Sequence, residues 1–171
     1  MEKKVTRSDL EILNGVGGEL TPQDISGLDL SRIRLSGISF HGSDLRYVNF
    51  EGSILQSVDF HEVDMGGINL KGTQIENSDF SGANLRWARF ADANLTNCKF
   101  VRSNLLESNF TKSILTNIDF SHADLRRCLF NESILTGLDL SNANLSKANF
   151  RGTDSNEIKA DFANTYGIIW K

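Results

Sequence analysis

The chain has 171 residues, enough for one domain, with 39% hydrophobic residues and a net charge of −4 at neutral pH. No run approaches the roughly 18 apolar residues that a membrane span needs, and the first residues lack the apolar core of a secretory signal. We therefore expect a cytoplasmic protein. No G-x-S-x-G, Walker or metal-binding motif is present, so we expect no enzymatic activity and assign no catalytic or cofactor-binding residue.

A short helix is predicted near residues 8–14. Ser8 followed by Glu11 is typical of a capping box, in which each residue's side chain accepts a hydrogen bond from the other's backbone. Apolar residues beginning at Leu10 then supply one buried stripe, and Gly15 is a plausible end of the helix.

From residue 28 to residue 150 the chain repeats with a five-residue period. Every fifth position from Leu30 to Phe150 is Leu, Phe, Met or Ile, and ten of the eleven Phe occupy this phase. Two positions before each lies a second, mostly small side chain, and neither of the two phases carries a charge anywhere in this span. Because five matches neither the helical period nor the strand period, the pattern predicts short extended steps separated by corners, with two side chains per step pointing into a shared interior.

Three of these units, at residues 83–87, 93–97 and 143–147, begin with Ala-Asn-Leu. They resemble the A-(D/N)-L-x-x unit of the pentapeptide-repeat family, and the resemblance runs without a gap through most of the chain. It implies an all-β fold, a right-handed quadrilateral β-helix whose coils each have four sides, with one five-residue repeat on each side. Residues 28–153 then form about six coils, and residues 1–27 form an N-terminal cap whose short helix covers the open edge of the first coil.

Phe and Leu alternate along the large positions with a ten-residue period, which places most Phe on two opposite sides of such a coil. Stacked coils lie about 4.8 Å apart, so each side should carry a ladder of rings. One side stacks Phe40, Phe60, Phe80, Phe100, Phe120 and Leu140, and the facing side stacks Leu30, Phe50, Leu70, Phe90, Phe110, Phe130 and Phe150.

After Phe150 the five-residue phase is expected to break. Residues 151–157 are typical of a turn, residues 160–162 resemble one more repeat shifted by two positions, and residues 166–170 are apolar and β-prone. Residues 154–171 are therefore predicted either to cap the last coil or to contact a second copy of the chain.

Two groups of potentially reactive side chains carry no assigned chemistry. Cys98 and Cys128 occupy small inward positions one and a half coils apart, on opposite sides of the core, so we expect no disulfide. His41 and His61 should stack on one outer face beside Glu62, and two imidazoles with a carboxylate can bind zinc. Because polar ladders arise by chance on a β-helix, and no third strong ligand is evident, we assign no metal from the sequence.

Two sets of outward residues are candidate contact surfaces. The first combines basic and aromatic groups that recur on one side in every second coil, a composition that binds nucleic-acid strands or acidic partners, although a solvated face is commoner. It comprises Arg46, Tyr47, Arg86, Trp87, Arg126 and Arg127. The second is apolar, which matters only if it is contiguous. It comprises Ile114, Ile134, Ile168, Ile169 and Trp170.

A filled rod without loops offers no catalytic pocket, so the leading prediction is a structural or protein-interaction module. We expect a protein partner of unknown identity, which could be a second copy of the chain bound through the C-terminal end. We expect no contact with a membrane. The family resemblance offers an alternative, because some members mimic duplex DNA, bind DNA gyrase and protect it from quinolones. That mimicry needs an acidic surface, but acidic and basic side chains are almost equally numerous between residues 28 and 153. Lys99 also interrupts the acidic column of Asp59, Asp79, Asp119 and Asp139. Binding of a nucleic acid or acidic partner by the basic and aromatic residues is a third, less expected function.

Overall fold

The structure, a computed structural model, describes residues 5–14 and 23–170, and its backbone winds as a four-sided solenoid. One side carries seven short strands: β1 (Arg34–Ser36), β2 (Ile54–Gln56), β3 (Gln74–Glu76), β4 (Asn94–Thr96), β5 (Ile114–Thr116), β6 (Ile134–Thr136) and β7 (Asp154–Asn156). They form one parallel sheet in chain order, in which each strand pairs with the strand of the next coil, as Leu35 does with Leu55. The other three sides are joined by single parallel bridges with the same one-coil step, such as Asp59 to Asp79. The predicted quadrilateral β-helix is confirmed.

The corners of the coil explain the five-residue period. A left-handed backbone conformation recurs every five residues from Gly27 to Gly167, two positions after each position of the large-residue phase. Glycine adopts this conformation without a steric penalty, yet Glu62 and Trp87 also hold it, at φ 57° and 59°. Hydrogen bonds to the next coil fix these corners, as where the Trp87 amide donates to the Leu106 carbonyl at 3.1 Å.

The interior is filled by the predicted ladders. Every large residue of the repeat from Leu30 to Phe150 is buried, and none is more than 2% exposed. Along one side Phe80 and Phe100 stack with ring centroids 4.6 Å apart, and along the facing side Phe90 and Phe110 stack at 4.6 Å. The two ladders meet edge to face, with Phe90 5.9 Å from Phe100. Aromatic pairs favour both offset-stacked and edge-to-face arrangements.

The N-terminal helix α1 (Arg7–Leu13) lies against the first coil. Leu10 is fully buried, the Arg7 guanidinium donates to the Ser31 carbonyl at 2.8 Å, and the Asn14 side chain accepts from the Ser36 amide at 2.8 Å. The predicted capping helix is therefore confirmed. Residues 1–4 and 15–22 of the proposed cap, Gly15 included, lie outside the described residues.

The predicted capping box is wrong by two positions. Thr6 is the N-cap, and its side chain and that of Asp9 satisfy each other's backbone amides. Glu11, assigned to the box from the sequence, instead pairs with Arg7 at 2.8 Å across one helical turn. The helix begins earlier because Arg7 and Leu10 are both held against the first coil.

The predicted break after Phe150 is also wrong. Strand β7 pairs with β6 in unchanged register, and bridges at Lys159, Asn164 and Ile169 complete a further coil. Backbone hydrogen bonding and left-handed corners carry the winding forward even though interior positions 155, 160 and 165 lack large apolar residues. Phe162 therefore occupies an outward corner, 92% exposed, and does not begin a shifted repeat.

Candidate interaction surfaces

Asp and Asn side chains on three of the four sides are parts of the backbone turns. Each occupies the position before a large interior residue, and its oxygen accepts the amide hydrogen two positions later. Asp79 accepts from Ser81 and Asp119 from Ser121, both at 2.9 Å. Such Asx turns replace backbone turns. The acidic column predicted from the sequence therefore has a structural role in the winding itself.

The six predicted basic and aromatic residues do share one side, here called the basic–aromatic face: Arg46, Tyr47, Arg86, Trp87, Arg126 and Arg127. Most of its positive charge is already paired. Arg46 binds Asp44 at 2.5 Å and lies 3.9 Å from Asp64, and Arg126 binds Asp124 at 2.6 Å. Hydrogen bonds from Arg46 hold the pKa of Asp44 below its usual range. Each of these two arginines is thus one member of a local ion pair.

A ladder along one corner of the basic–aromatic face joins three coils. Glu107 accepts from the Trp87 indole at 3.1 Å and from Arg127 at 2.8 Å. The Arg127 hydrogen bond, followed by that of Trp87, lowers the pKa of Glu107. Arg86 lies over the Trp87 ring, 4.7 Å from its centroid, in a cation–π contact. Glu107 was not predicted from the sequence. It lies one coil after Trp87 and one coil before Arg127, so the 20-residue spacing was the signal that could have found it.

Both aromatic side chains of the basic–aromatic face are exposed. Tyr47 is 67% exposed and Trp87 49%. The Tyr47 ring lies along the surface over Gly67, where an added Cβ would be only 2.6 Å from two ring carbons. Glycine at this corner therefore lets the ring lie flat.

The apolar candidates fall into two groups. Ile114 and Ile134 are register partners on β5 and β6, 41% and 46% exposed. The other group lies in the last coil, where Trp170 stacks on Phe150 at 4.8 Å and Ile169 bridges to Asn149. Ile168 is partly buried against the core.

The last coil is more apolar on its outside than the sequence analysis suggested. Phe162 and Tyr166 are 92% and 72% exposed there. Both lie in the segment predicted to cap the last coil or contact a second copy, but neither was singled out as a candidate contact residue. Continuing the five-residue period past Phe150 would have predicted that both side chains point outward.

Both cysteines are free and buried. Burial raises the pKa of the Cys98 thiol to about 11 and raises that of Cys128 as well. Buried thiols of high pKa are poor nucleophiles and metal ligands, so these residues act as small core side chains.

Within residues 5–14 and 23–170, no helix combines the length and apolar character needed to cross a bilayer.

Two family models match the repeats. One, described as "Pentapeptide repeat region", matches residues 39–110, and a second, "Pentapeptide repeats (8 copies)", matches residues 123–154. The chain belongs to the pentapeptide-repeat family. Together the two matches span most of the coils described above. No curated protein matches the sequence.

Three solved structures are similar to this chain. Trypsin-treated QnrB1 carrying M102R, a plasmid-mediated fluoroquinolone resistance protein, is 18% identical with a TM-score of 0.62, over 94% of this chain and 86% of that one. A pentapeptide repeat protein from the Arabidopsis thaliana thylakoid lumen is 28% identical with a TM-score of 0.37, over 58% of this chain and 66% of that one. HetL from Nostoc, involved in heterocyst differentiation regulation, is 19% identical with a TM-score of 0.38, over 98% and 97%. At these identities, the likeness to QnrB1 establishes the fold alone.

Proposed function

We propose that this pentapeptide-repeat rod is a non-enzymatic interaction module that works as a homodimer joined through its C-terminal coils. The observation that carries the proposal is the exposed apolar surface of the last described coil, residues 151–170. The coil at residues 151–170 hydrogen-bonds to the preceding coil, and among the described residues no later coil covers it.

This last described coil combines two features of a self-association surface. Strand β7 has one edge paired with β6 and the other edge unpaired within the described chain, and such edges are templates for pairing with another chain. The same coil exposes four apolar or aromatic side chains, Phe162, Tyr166, Ile169 and Trp170, of which Ile169, at 42%, is the least exposed. A two-fold contact is self-complementary, so a second copy supplies both a strand edge and apolar side chains.

Light scattering during size exclusion at micromolar protein tests the dimer. We expect the wild type to have twice the mass of one chain and Trp170→Glu to have the mass of a single chain, because the substitution places a charge in the contact. Trp87→Ser is the matched control, since it removes an exposed aromatic residue from a side of the rod and leaves the end intact. A monomeric wild type, or a dimeric Trp170→Glu variant, contradicts the proposal.

The basic–aromatic face is proposed to contact a protein and not a nucleic acid. Arg46, Arg126 and Arg127 each have a carboxylate partner at 2.8 Å or closer, so they have little free charge to displace counterions from a phosphate backbone. The exposed faces of Tyr47 and Trp87 suit the aromatic anchors of protein interfaces. Titration of a labelled single-stranded oligonucleotide at low salt should show no binding, and salt-sensitive binding would favour a nucleic-acid partner.

The gyrase alternative has less support from the surface. Asp79 and Asp119 are engaged in Asx turns, and Lys159 pairs with Asp139 at 3.2 Å. A uniform acidic face of the kind that mimics DNA is therefore interrupted. Supercoiling by DNA gyrase with a fluoroquinolone present should be unchanged by micromolar protein, and protection of the enzyme would replace the present proposal.

A further inference from the structure

Two histidines and a glutamate meet on the outer side that carries the acidic column. His41 and His61 occupy equivalent positions of adjacent coils, and their rings stack with centroids 4.2 Å apart. Glu62 follows His61 at a left-handed corner. One potential ligand atom from each of the three residues lies within 4.8 Å of the others. We propose that His41, His61 and Glu62 form a binding site for one divalent transition-metal ion of the Zn²⁺ type.

The hydrogen bonds made by Nδ1 of each ring leave Nε2, the nitrogen that would bind the metal, free. Nδ1 of His61 lies 2.7 Å from Oδ1 of Asp59, and Nδ1 of His41 lies 3.3 Å from the His61 carbonyl oxygen. Both contacts place the ring proton on Nδ1 and leave the Nε2 lone pair available. Metal-bound histidines have this outer arrangement, in which a carboxylate or carbonyl orients the ring and strengthens the ligand.

The third ligand has room to move. The residues at the Glu62 corner in the coils on either side are Gly42 and Gly82, so no side chain flanks Glu62 along that column. At Gly82 an added Cβ would lie 3.2 Å from Cγ of Glu62, which shows that the glutamate side chain extends over this glycine. A larger residue there would push it away.

The carboxylates next to the two histidines favour a cation. Asp59, Glu62 and Asp79 all act electrostatically on His61. Two imidazoles and one carboxylate are the protein ligands of many three-ligand zinc sites, which complete a tetrahedron with water. Carboxylate-only sites prefer Mg²⁺ or Ca²⁺, whereas imidazole selects zinc and its neighbours.

One movement is needed for binding. The rings are nearly parallel, at 13°, whereas a single ion must lie in the plane of each ring it binds. His61 is fixed by Asp59, so the exposed His41 ring turns to share the ion. Binding should therefore break the ring stack while leaving the His61–Asp59 hydrogen bond in place.

Calorimetric titration of the untagged full chain with Zn²⁺ alone tests the site. We expect one saturable ion per chain, and binding at least about tenfold weaker in His41→Ala and in His61→Ala. His122→Ala is the matched control, because it removes the chain's remaining histidine from the same side of the coil, and its affinity should equal that of the wild type. Absence of saturable binding, or equal affinities in all three variants, overturns the proposal.

The positioning role of Asp59 has its own test. Asp59→Asn keeps the oxygen that accepts the His61 amide at 3.0 Å but removes the charge behind the ring. Zinc affinity should fall about tenfold or more, with an unchanged circular dichroism spectrum. Long-range proton–nitrogen correlation spectra of the metal-free chain should show both histidines protonated on Nδ1. Protonation on Nε2 in either residue, or full zinc affinity in Asp59→Asn, contradicts the inferred arrangement.

Discussion

At the scale of single residues, an interior ring such as that of Phe80 packs against rings of the coils above and below it and of the facing side. Phe80 stacks between Phe60 and Phe100, with centroids 4.8 and 4.6 Å away, and meets Phe90 edge to face at 6.4 Å. Because coils are fixed by backbone hydrogen bonds above and below, the site cannot collapse around a smaller side chain. Interior positions should therefore tolerate truncation poorly.

We expect Phe80→Ala to lower the free energy of unfolding by about 3–5 kcal/mol, from lost transfer energy and the cavity left behind. Urea denaturation measures the change. Phe162→Ala is the control, since this ring is 92% exposed and surface substitutions usually change stability by less than about 0.5 kcal/mol. Equal effects of the two truncations would show that the Phe80 ladder is not the interior.

The Asp59–His61 pair predicts a pH dependence of stability. The hydrogen bond that the His61 ring donates to Asp59, opposed by slight burial, raises the pKa of His61 above 6.5. Partial burial alone would raise the pKa of Asp59, but hydrogen bonds from His61 and Ser39 outweigh it and lower that pKa.

Because the folded-state pKa of His61 is raised, its stabilising effect is fully present below about pH 6.5. That effect is lost as the pH rises through the higher folded-state value. NMR titration should give a His61 pKa above 6.5 in the wild type and a lower one in Asp59→Asn. Denaturation on either side of this range, in mildly acidic and mildly alkaline buffer, should show a smaller stability difference in the variant; an unchanged His61 pKa there would contradict the pairing.

At the scale of the elements, the corner is the unit that the sequence must satisfy. Gly67 and Gly72 have similar left-handed corners, at φ 69° and 63°. They differ in their surroundings, because a Cβ at Gly72 would meet nothing within 4 Å, whereas one at Gly67 would meet the Tyr47 ring at 2.6 Å. The two sites therefore separate backbone strain from a side-chain clash.

Gly72→Ala should destabilise the fold by about 1–2 kcal/mol, the cost of a left-handed L-residue. Gly67→Ala should cost more than that and displace the Tyr47 ring, seen as a change in tyrosine fluorescence. Adding Tyr47→Ala should bring the Gly67→Ala loss back to the Gly72→Ala level. If the two single variants lose equal stability and the tyrosine signal is unchanged, the ring does not occupy the space over Gly67.

The sequence specified the elements better than it specified their ends. The resemblance to pentapeptide repeats implied the coils. Within that geometry the phase of large residues predicted the ladders and ring positions, because interior packing depends directly on residue size. It failed at the capping box because Thr6 and Ser8 are both competent N-caps, and contacts with the first coil chose between them. The prediction failed after Phe150 because backbone hydrogen bonds maintain the winding there. Such bonds cannot be inferred from a pattern of small or polar side chains.

The candidate surfaces were only partly predictable for a related reason. The register of the coils placed six basic and aromatic residues on one side, and the structure agrees. Their pairing with Asp44, Glu107 and Asp124 depends on side-chain direction at the corners. The sequence therefore showed which residues are neighbours but not that their charges are neutralised.

At the scale of the whole molecule, the solenoid is a stack of interchangeable four-repeat coils. Every strand pair and bridge has the same step, and each coil contacts only its neighbours. Removal of residues 93–112 should therefore place β3 beside β5 with all four sides in register. The shortened chain should fold cooperatively and form a rod about 4.8 Å shorter, which small-angle scattering measures.

Removal of only residues 93–97 is the matched control for that prediction. The shorter deletion turns every later residue by one side, so that Phe100 would stack beneath Ile75 and not beneath Phe80. One side of each later coil that forms Asx turns would then be aligned with the side of the preceding coil that carries the strands. We expect this variant to lose its cooperative transition or to unfold at much lower urea, although it lacks fewer residues. A single-repeat deletion as stable as the whole-coil deletion would show that the individual pentapeptide, and not the four-sided coil, is the unit of the fold.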